Sequence, residues 1–319
     1  MLHLKNVVLF DTALRSDNIG DEVIMESTDE ILSSIFPNRQ FTRIATHVRM
    51  NAAERAIAWS TPLGIIGGTN ILKSRMLFHQ NWELGLRDFL ALKNVVLLGV
   101  GWQYYYHRPD LFSRWFFKRA LAREYIHSVR DHYTREQLKD CVPQVLYTGC
   151  PTMWGFDAAM CARVPMTKAA RAIFSVTYFR PNLEADRVIL KLLLDRYETV
   201  YLWAQQEADI DYLRRLGIPG GILLDRRLAT YDRILETEDV DVLGSRLHGG
   251  IRALAKGRRA LILEIDNRAR EMARESNLPA VPRDAFDRMA DWISGSPALT
   301  INMPWDNIAA WKGQFQNLR

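Results

Sequence analysis

Short apolar runs that end in glycine, separated by longer amphipathic stretches, constrain the fold of this chain more than any other feature. The runs include LGIIGG (residues 63–68) and NVVLLGVG (94–101), and NVVLF (6–10) precedes an amphipathic stretch over 20–36. Strands that are apolar on both faces and alternate with helices are typical of a parallel sheet covered on both sides. The sequence therefore predicts an α/β fold.

The alternation stops and then restarts near the middle of the chain. Residues 155–170 carry turn residues without a clear period, and RAIFSVTYF (171–179) begins a second series of strands and helices. A length of 319 residues suits two domains of average size. We therefore expect two Rossmann-like domains with parallel sheets, over residues 1–160 and 170–302, and a C-terminal helix over 303–319.

The composition limits the class of protein and its partners. The net charge is +5, so anionic partners fit, but no RNP-like or zinc-finger motif indicates nucleic acid. Three widely spaced cysteines without a CxxC motif indicate neither disulfides nor structural zinc, and without an HExxH motif we expect no catalytic metal. The apolar runs are too short for a signal peptide or a membrane span, so we expect a cytoplasmic protein.

Two polar turns in the first half follow predicted strands, where the ligands of open α/β sheets bind. In the first turn, Asn18 or Asp17 can cap the next helix, and the helix N-terminus near Gly20 and Asp21 can attract an anion, although a helix cap alone also explains these residues. The second turn is GGTN, in which paired glycines can expose N–H groups to a phosphate or a sugar; its residues are Gly67, Gly68, Thr69 and Asn70.

A third turn, SRLHGG, contains the strongest chemical signal in the second half. Arg246 and His248 are two residues apart between a predicted strand and a predicted helix, so both side chains can face one crevice. Arginine pairs with carboxylate or phosphate through two hydrogen bonds, and histidine can transfer a proton near pH 7. Gly249 and Gly250 directly precede the predicted helix IRALAKG and would leave its N-terminus open to an anion. We expect Leu247 to pack inward.

Other polar residues also follow predicted strands. Arg180 precedes Pro181, which we expect to start a helix, and Gln205 begins a polar cluster that can line a cleft. Arg130 either forms a local ion pair with Asp131 or binds an acceptor. The aromatic and basic segment over 102–121 is either an amphipathic helix with aromatic core residues, or a surface for a membrane or for sugar rings.

Taken together and in order, these turns resemble the polysaccharide pyruvyl transferase family. The matching pieces are NIGDEVI, GGTNIL, GVG, SVRD, TGCP and SRLHGGIRALAKG, from about residue 16 to residue 268. The resemblance implies a GT-B-like build, with two Rossmann-like domains facing a cleft and a last helix that crosses back to the first domain. The chain departs from the family pattern at Thr69, at Cys150 before Pro151, and at Arg268, which replaces a usual lysine.

The resemblance also implies a reaction, in which phosphoenolpyruvate donates a pyruvyl group to two hydroxyls of a sugar and phosphate is released, in the synthesis of an exopolysaccharide or cell-surface glycan. His248 would be the general acid and Arg246 a catalytic anchor, while the donor would also contact Arg180, Ser245, Leu247, Gly249 and Gly250. The acceptor would be bound by Asn18, Gly20, Asp21, Gly67, Gly68, Thr69, Asn70 and Arg130. No cofactor beyond the donor is implied.

Two alternatives and several properties stay open at this point. The same architecture suits a glycosyltransferase that uses a nucleotide sugar, and also a non-catalytic anion- or glycan-binding protein. The sequence does not distinguish a lipid-linked from a nucleotide-linked acceptor. It also leaves open peripheral association with the inner face of the membrane, and it leaves the oligomeric state unknown.

Overall fold

A computed structural model describes residues 7–78, 81–105 and 108–316 of the chain. Contacts between residues divide the chain into two compact units. Unit 1 contains the residues up to Ser16, Ile24–Trp154 and those from Met303 onwards, and unit 2 contains Asp17–Val23 and Gly155–Asn302. Asn6, Tyr106, His107 and residues 317–319, which fall within the sequence predictions, lie outside the described residues.

Unit 1 is built on parallel strands, and those over 7–11, 63–67 and 95–98 are fully buried and almost entirely apolar. In its described residues the main sheet has the order β2-β1-β3-β4, and β5 and β6 form a second parallel pair. Val8 of β1 lies opposite Thr42 of β2 and Gly64 of β3. The strands are β1 (Val7–Asp11), β2 (Phe41–Ala45), β3 (Leu63–Gly67), β4 (Val95–Leu98), β5 (His127–Val129) and β6 (Val145–Tyr147).

The helices of unit 1 cover this sheet, and their ends follow from local sequence. Asn51 caps α2 in a capping box with Glu54, and Asp110 and Asp131 cap α4 and α5. Residues 19–23 of α1 cluster with unit 2, and its remaining residues cluster with unit 1. The helices that contribute to unit 1 are α1 (Ile19–Ile35), α2 (Ala52–Ser60), α3 (Leu86–Ala91), α4 (Leu111–Ala120), α5 (His132–Leu138) and, at the end of the chain, α13 (Trp305–Gly313).

Side chains connect β4 to β5 within unit 1. Leu97 N–H donates to Nδ1 of His127 over 3.3 Å, and Gly99 N–H donates to Oγ of Ser128 over 2.8 Å. Nε2 of His127 donates to the carbonyl of Ala122 over 2.7 Å. These bonds require a neutral imidazole, and burial lowers the pKa of His127 to about 4.

The terminal helix α13 packs on the same strands. Nε1 of Trp311 donates to the carbonyl of Leu97 over 3.0 Å, and its ring meets Trp154 at a centroid distance of 5.6 Å. Trp311 and Phe315 are fully buried. Trp311 and Phe315 are therefore part of the unit 1 core, whereas Trp305 at the start of the helix is exposed.

Unit 2 contains one parallel sheet whose order, within the described residues, is β12-β11-β10-β7-β8-β9. With β7 taken as the first strand, this is the 3-2-1-4-5-6 order of a doubly wound Rossmann sheet. Its strands are β7 (Arg171–Ser175), β8 (Thr199–Leu202), β9 (Gly221–Leu223), β10 (Val240–Gly244), β11 (Ala260–Glu264) and β12 (Ala280–Pro282).

Helices follow the strands of unit 2 and bury one face each against the sheet. The core contains Ile189 and Leu193 of α7 with Tyr212 of α8 and Met289 of α12. The helices are α6 (Ala158–Ala162), α7 (Leu183–Arg196), α8 (Glu207–Leu216), α9 (Leu228–Thr237), α10 (Leu247–Ala255), α11 (Asn267–Ser276) and α12 (Phe286–Ser294).

The structure corrects two helix starts that were predicted from the sequence. Leu247–Gly250 form the first turn of α10 rather than a loop before it, and α7 begins after Asn182, whose side chain caps it, instead of at Pro181. In the segment over 102–121, α4 buries Phe116 and Phe117 but leaves Leu111 and Trp115 exposed. Among the described residues, no helix has both the length and the apolar character needed to cross a bilayer.

Candidate functional site

The strand order of unit 2 reverses between β7 and β10, and this is where ligands bind in doubly wound sheets. Ser245 N–H donates to the carbonyl of Ser175 over 2.9 Å, which brings the ends of the two strands together. A Cβ on Gly244 would lie 2.2 Å from that carbonyl oxygen, so only glycine fits there. Ser245, Arg246 and Thr177 therefore lie at the switch point of the sheet.

Arg246 is buried and is paired with an aspartate from another element. Its Nη2 donates to a carboxylate oxygen of Asp209, at the start of α8, and its Nε donates to the carbonyl of Val176 over 3.1 Å. Asp209 also accepts N–H bonds from Tyr178 and Gln205. The guanidinium is thus oriented by the protein, and Nη1 makes no hydrogen bond to another described residue.

A second cation lies near this pair. Burial lowers the pKa of Arg246, Asp209 opposes the shift, and the positive charge of Arg268 adds to it. Asp266 holds Arg268 through Nε at 2.9 Å and Nη2 at 2.6 Å, at the start of α11. Each guanidinium group is already paired with an aspartate, and an anion beside the two groups would reduce the remaining repulsion between them.

Buried polar atoms without a hydrogen-bond partner lie at the same edge of the sheet. Within the part of the chain that the structure describes, Oγ of Ser245, Oγ1 of Thr177 and Nε2 of Gln205 have no partner, and these residues are at most 5% exposed. They follow β10, β7 and β8. Because buried polar groups are nearly always paired, three such atoms at one switch point indicate a place for a polar ligand.

The N-terminus of α10 faces this edge and has no side-chain cap. The first N–H groups of a helix have no acceptor within that helix, and the positive end of the helix dipole lies there. His248 is buried in the same turn. The hydroxyl of Tyr231 donates to the carbonyl of Gly249 over 2.8 Å, and the ring of Tyr231 stacks on the ring of Trp203 at a centroid distance of 3.8 Å. These contacts hold the first turn of α10 in place.

The two glycines of α10 have packing roles that the sequence did not reveal. A Cβ on Gly249 would lie 2.8 Å from Nε2 of Gln205, and a Cβ on Gly250 would lie 2.6 Å from Ile262. Gly250 is therefore required by β11 rather than by access of an anion. Gly249 allows the side chain of Gln205 to approach the helix N-terminus. Leu247 is buried, as expected.

Arg180 lies on the loop after β7, where the sequence placed it, with an exposed side chain. Its carbonyl accepts a bond from Nη1 of Arg283, and Arg283 in turn pairs with the buried Asp186. The loop is thus anchored from β12 and α7, a connection that the sequence does not reveal.

Three residues assigned to an acceptor site on the first domain cluster with unit 2 instead. Ile19 N–H donates to the carbonyl of Gln205 over 3.1 Å, and a Cβ on Gly20 would lie 3.1 Å from Oε1 of Gln205. Asn18 accepts the N–H of Gly20, so it caps α1 as expected, and Asp21 is buried. Asn18, Gly20 and Asp21 therefore belong to the surroundings of Gln205, because the helix start packs on that residue.

In unit 1, the strand order reverses between β1 and β3, and the paired glycines follow β3. A Cβ on Gly67 would lie 2.3 Å from Oγ1 of Thr28, and Gly68, at φ +46°, packs against Ile24 and Pro151. Close packing therefore explains both glycines, in place of the proposed phosphate or sugar cradle. Thr69 is buried beside them.

Arg130 has the structural role that the sequence left as an alternative to acceptor binding. It is 1% exposed, and Nη2 donates to Asn70 over 2.9 Å and to Asp131 over 3.3 Å. A Cβ on Gly101 would lie 2.2 Å from this guanidinium. Because Arg130 is enclosed, the role that its contacts show is to orient Asn70.

Sequence reasoning missed several polar groups of unit 1. Oγ1 of Thr12, after β1, and Oε1 of Gln103, after β4, are buried without a partner in the described part of the chain. Lys73 donates to the carbonyl of Phe78 over 3.0 Å, and burial lowers its pKa. The available signal was that Thr12 directly follows β1 and that Gln103 and Lys73 lie on the loops after β4 and β3. In residues 7–78, 81–105 and 108–316, no group of three or more His, Cys, Asp or Glu side chains could hold a metal ion.

The parallel sheets and the switch-point residues define the class as a two-domain Rossmann-like α/β protein. The chain belongs to the polysaccharide pyruvyl transferase family, whose family model matches residues 18–267. This confirms the resemblance of the ordered motifs. No curated protein sequence matches the chain significantly.

Solved structures support the same architecture. The Staphylococcus aureus MnaA–UDP complex aligns with a TM-score of 0.51 at 10% identity, over 98% of this chain and 97% of that one. Methanocaldococcus jannaschii UDP-GlcNAc 2-epimerase, in complex with UDP-GlcNAc and UDP, aligns with a TM-score of 0.56 at 8% identity, over 98% of both chains. At these identities the likeness establishes the fold alone, and it confirms the GT-B-like fold class.

Proposed function

We propose that the protein transfers a pyruvyl group from phosphoenolpyruvate to two hydroxyls of a sugar in the synthesis of a bacterial exopolysaccharide or cell-surface glycan. The first hydroxyl adds to C2 of the enol, and C3 gains a proton to become a methyl group. The C2–O bond to phosphate then breaks, and the second hydroxyl attacks C2 to close a ketal. One hydroxyl proton ends on C3 and the other on phosphate, so the reaction balances without a further cofactor.

The observation that carries this proposal is the switch point of unit 2, which combines two neighbouring guanidinium groups with polar atoms that have no partner among the described residues. Phosphoenolpyruvate has a phosphate and a carboxylate, so it needs donors for two anionic groups. The uncapped N-terminus of α10, with Ser245 and Gln205 beside it, suits the phosphate. Nη1 of Arg246, with the nearby charge of Arg268, suits the carboxylate. Arg180, on the exposed loop, is a further anchor for the donor.

His248 is the proposed general acid for C3. It lies in the first turn of α10, two residues from Arg246, so an anion bound at that helix N-terminus would be close to the imidazole. Proton transfer by a positioned side chain contributes on the order of 10²–10⁴ in rate. In this assignment Arg246 and Asp209 orient the donor, and they do not carry the proton.

The proposed acceptor residues of unit 1 are uncharged. Thr12, Thr69, Asn70 and Gln103 follow strands of its sheet, and two of them have polar atoms without a partner among the described residues. Neutral hydroxyl and amide groups suit the hydroxyls of a sugar. Asn18, Gly20 and Asp21, which cluster with Gln205, are proposed to serve the donor side instead.

A thermal-shift comparison of three ligands tests the donor assignment. Phosphoenolpyruvate at 100 times its dissociation constant should stabilise the protein by about 2.7 kcal/mol. Pyruvate and inorganic phosphate, which each carry one of its two anionic groups, should shift the melting temperature less. Phosphate release in the presence of a candidate sugar then tests transfer.

The same panel includes UDP-GlcNAc, because structures of similar fold contain UDP or UDP-GlcNAc. Stabilisation by UDP-GlcNAc in the absence of an effect from phosphoenolpyruvate would favour a nucleotide-sugar transferase. Binding of phosphoenolpyruvate without phosphate release, across a panel of sugars, would favour a non-catalytic binding protein.

A further inference from the structure

Unit 1 exposes a cluster of large apolar side chains on three neighbouring helices. This cluster, called here the apolar–basic face, consists of Trp59 of α2, Leu86 and Leu90 of α3, and Leu111 and Trp115 of α4. Leu111 is 86% exposed and Leu86 is 75% exposed. Single exposed leucines are ordinary, but a contiguous apolar patch marks a contact surface.

Contacts between the three helices make the face contiguous. The guanidinium of Arg119 donates to the carbonyl of Leu90 and lies 5.7 Å from the ring of Trp59, so α2, α3 and α4 meet at that residue. Leu86 and Leu90 are four residues apart, as are Leu111 and Trp115, so each pair lies on one side of its helix.

The fold does not need these side chains for its core. Beneath the face, Phe89 of α3 packs against Phe112 at 5.0 Å and Phe116 at 4.9 Å, and these rings hold α3 to α4. Phe89 and Phe116 are at most 2% exposed. The core layer is therefore complete without the outward-facing leucines and tryptophans.

Basic residues surround the face, and the nearby acidic residues are engaged elsewhere. Residues 86–120 contain six basic and two acidic side chains. Nζ of Lys93 lies 4.4 Å above the ring of Trp59, and Arg87 and Lys118 are exposed. Asp88 accepts the N–H of Gly85 and pairs with Arg55, and Asp110 accepts the N–H groups of Ser113 and Arg75.

We propose that the apolar–basic face binds the surface of an anionic phospholipid bilayer. Tryptophan and leucine side chains enter the boundary between headgroups and acyl chains, and lysine and arginine side chains contact anionic headgroups. The charge of the face selects this partner, because an apolar surface for a second copy of the chain would have no need of a basic rim. The proposal is independent of the proposed transferase activity.

Vesicle co-sedimentation of the full chain tests the proposal. The protein should bind vesicles of phosphatidylcholine mixed with phosphatidylglycerol, and it should bind vesicles of phosphatidylcholine alone at least tenfold less. Raising the salt concentration should release it, because exposed charges are screened. The double variant Leu111→Ser/Trp115→Ser and the double variant Arg87→Glu/Lys118→Glu should each reduce the partition coefficient at least about tenfold.

A matched control comes from α7 of unit 2. Val188 is 43% exposed, as is Trp115, and Lys191 is exposed on the same helix. Val188→Ser/Lys191→Glu should leave vesicle binding unchanged. Equal binding of all variants, or equal binding to neutral and anionic vesicles, would overturn the proposal. So would self-association in sedimentation velocity that Leu111→Ser/Trp115→Ser abolishes, because the face would then bind a second copy.

Discussion

Both units place a buried arginine after a strand and pair it with an aspartate, but the two pairs have different surroundings. In unit 1, Arg130 is paired with the adjacent Asp131 and with Asn70, so both its Nε and Nη2 atoms have acceptors. In unit 2, Arg246 is paired with Asp209 from α8, with the charge of Arg268 nearby. The first pair is a closed structural contact, whereas the second lies at a sheet edge beside a further guanidinium group and beside polar atoms without a partner in the described part of the chain.

The comparison teaches that a buried ion pair does not by itself identify a site. A ligand site is distinguished from a structural ion pair by the surrounding groups. The relevant features are other polar atoms at the same sheet edge that lack partners, and a further charged side chain nearby. This criterion supports our proposal that unit 2 binds the anionic donor, and the predictions below compare the two units.

The largest expected effect is on the rate of phosphate release. His248→Asn removes the proposed proton donor at α10 and should lower kcat by about 10²–10⁴, with little change in the binding of phosphoenolpyruvate. Steady-state kinetics with circular dichroism to confirm folding measures this. His132→Asn is the matched control in unit 1, because His132 is exposed at the start of α5. Equal loss of activity in the two variants would remove the distinction between the units.

Replacing Asp209 or Asp131 should lower the stability of the protein by a similar amount, but phosphoenolpyruvate should restore more stability to one of the two variants than to the other. Removing one partner of a buried ion pair destabilises a protein by about 3–5 kcal/mol, so Asp209→Asn and Asp131→Asn should both lower the free energy of unfolding by that amount. Phosphoenolpyruvate should restore more stability to Asp209→Asn, because its anionic groups can pair with Arg246. Thermal melts with and without ligand measure the difference, and an equal ligand response in both variants would contradict it.

Acid should destabilise unit 1 through His127. Its pKa is about 4 in the folded protein and near 6.5 when unfolded, so the unfolded chain binds the extra proton between these values. The stability contributed by the neutral imidazole is therefore complete above about pH 6.5 and falls by about 3 kcal/mol as the pH drops to 4. Denaturant titrations from pH 7 to 4 measure this, and His127→Gln should flatten the dependence. An unchanged slope in that variant would assign acid sensitivity to other groups.

The sequence predicts many strands of both units because they are short apolar runs, and the run over 63–68 corresponds to β3 (Leu63–Gly67). β12 has the sequence AVP, which is not such a run, and it was not predicted. The helix starts were less predictable. The sequence predicts a turn at Leu247–Gly250, because two glycines disfavour a helix. In the structure these residues are helical, and glycine is needed at both positions because a Cβ atom would clash with Gln205 or Ile262. Such a requirement depends on residues distant in sequence, so no local pattern contains it.

The same limit applies to the site. Arg246, His248 and Ser245 could be found because they follow a strand, and Gln205 because a polar cluster follows another. Asp209 could not be identified as the partner of Arg246, since the pairing joins α8 to α10 through the fold. The start of α1 could not be assigned to unit 2, because only its contact with Gln205 places it there.

The smallest expected effect separates a ligand-binding hydroxyl from an ordinary buried one. Oγ of Ser245 has no partner in the described part of the chain, so Ser245→Ala should raise the free energy of unfolding by about 1 kcal/mol in the absence of ligand. If the hydroxyl binds phosphoenolpyruvate, the same variant should weaken that binding about tenfold, or by about 1.4 kcal/mol. Thr12→Val in unit 1 removes a similarly unpaired hydroxyl and should give the same gain in stability with unchanged affinity for phosphoenolpyruvate. Denaturant titration measures the free energy of unfolding, and calorimetry measures the affinity for phosphoenolpyruvate.

A Ser245→Ala protein that gained stability without losing affinity would mean that the unpaired hydroxyl is a packing defect. The switch point of unit 2 would then have no feature at Ser245 that distinguishes it from the switch point of unit 1.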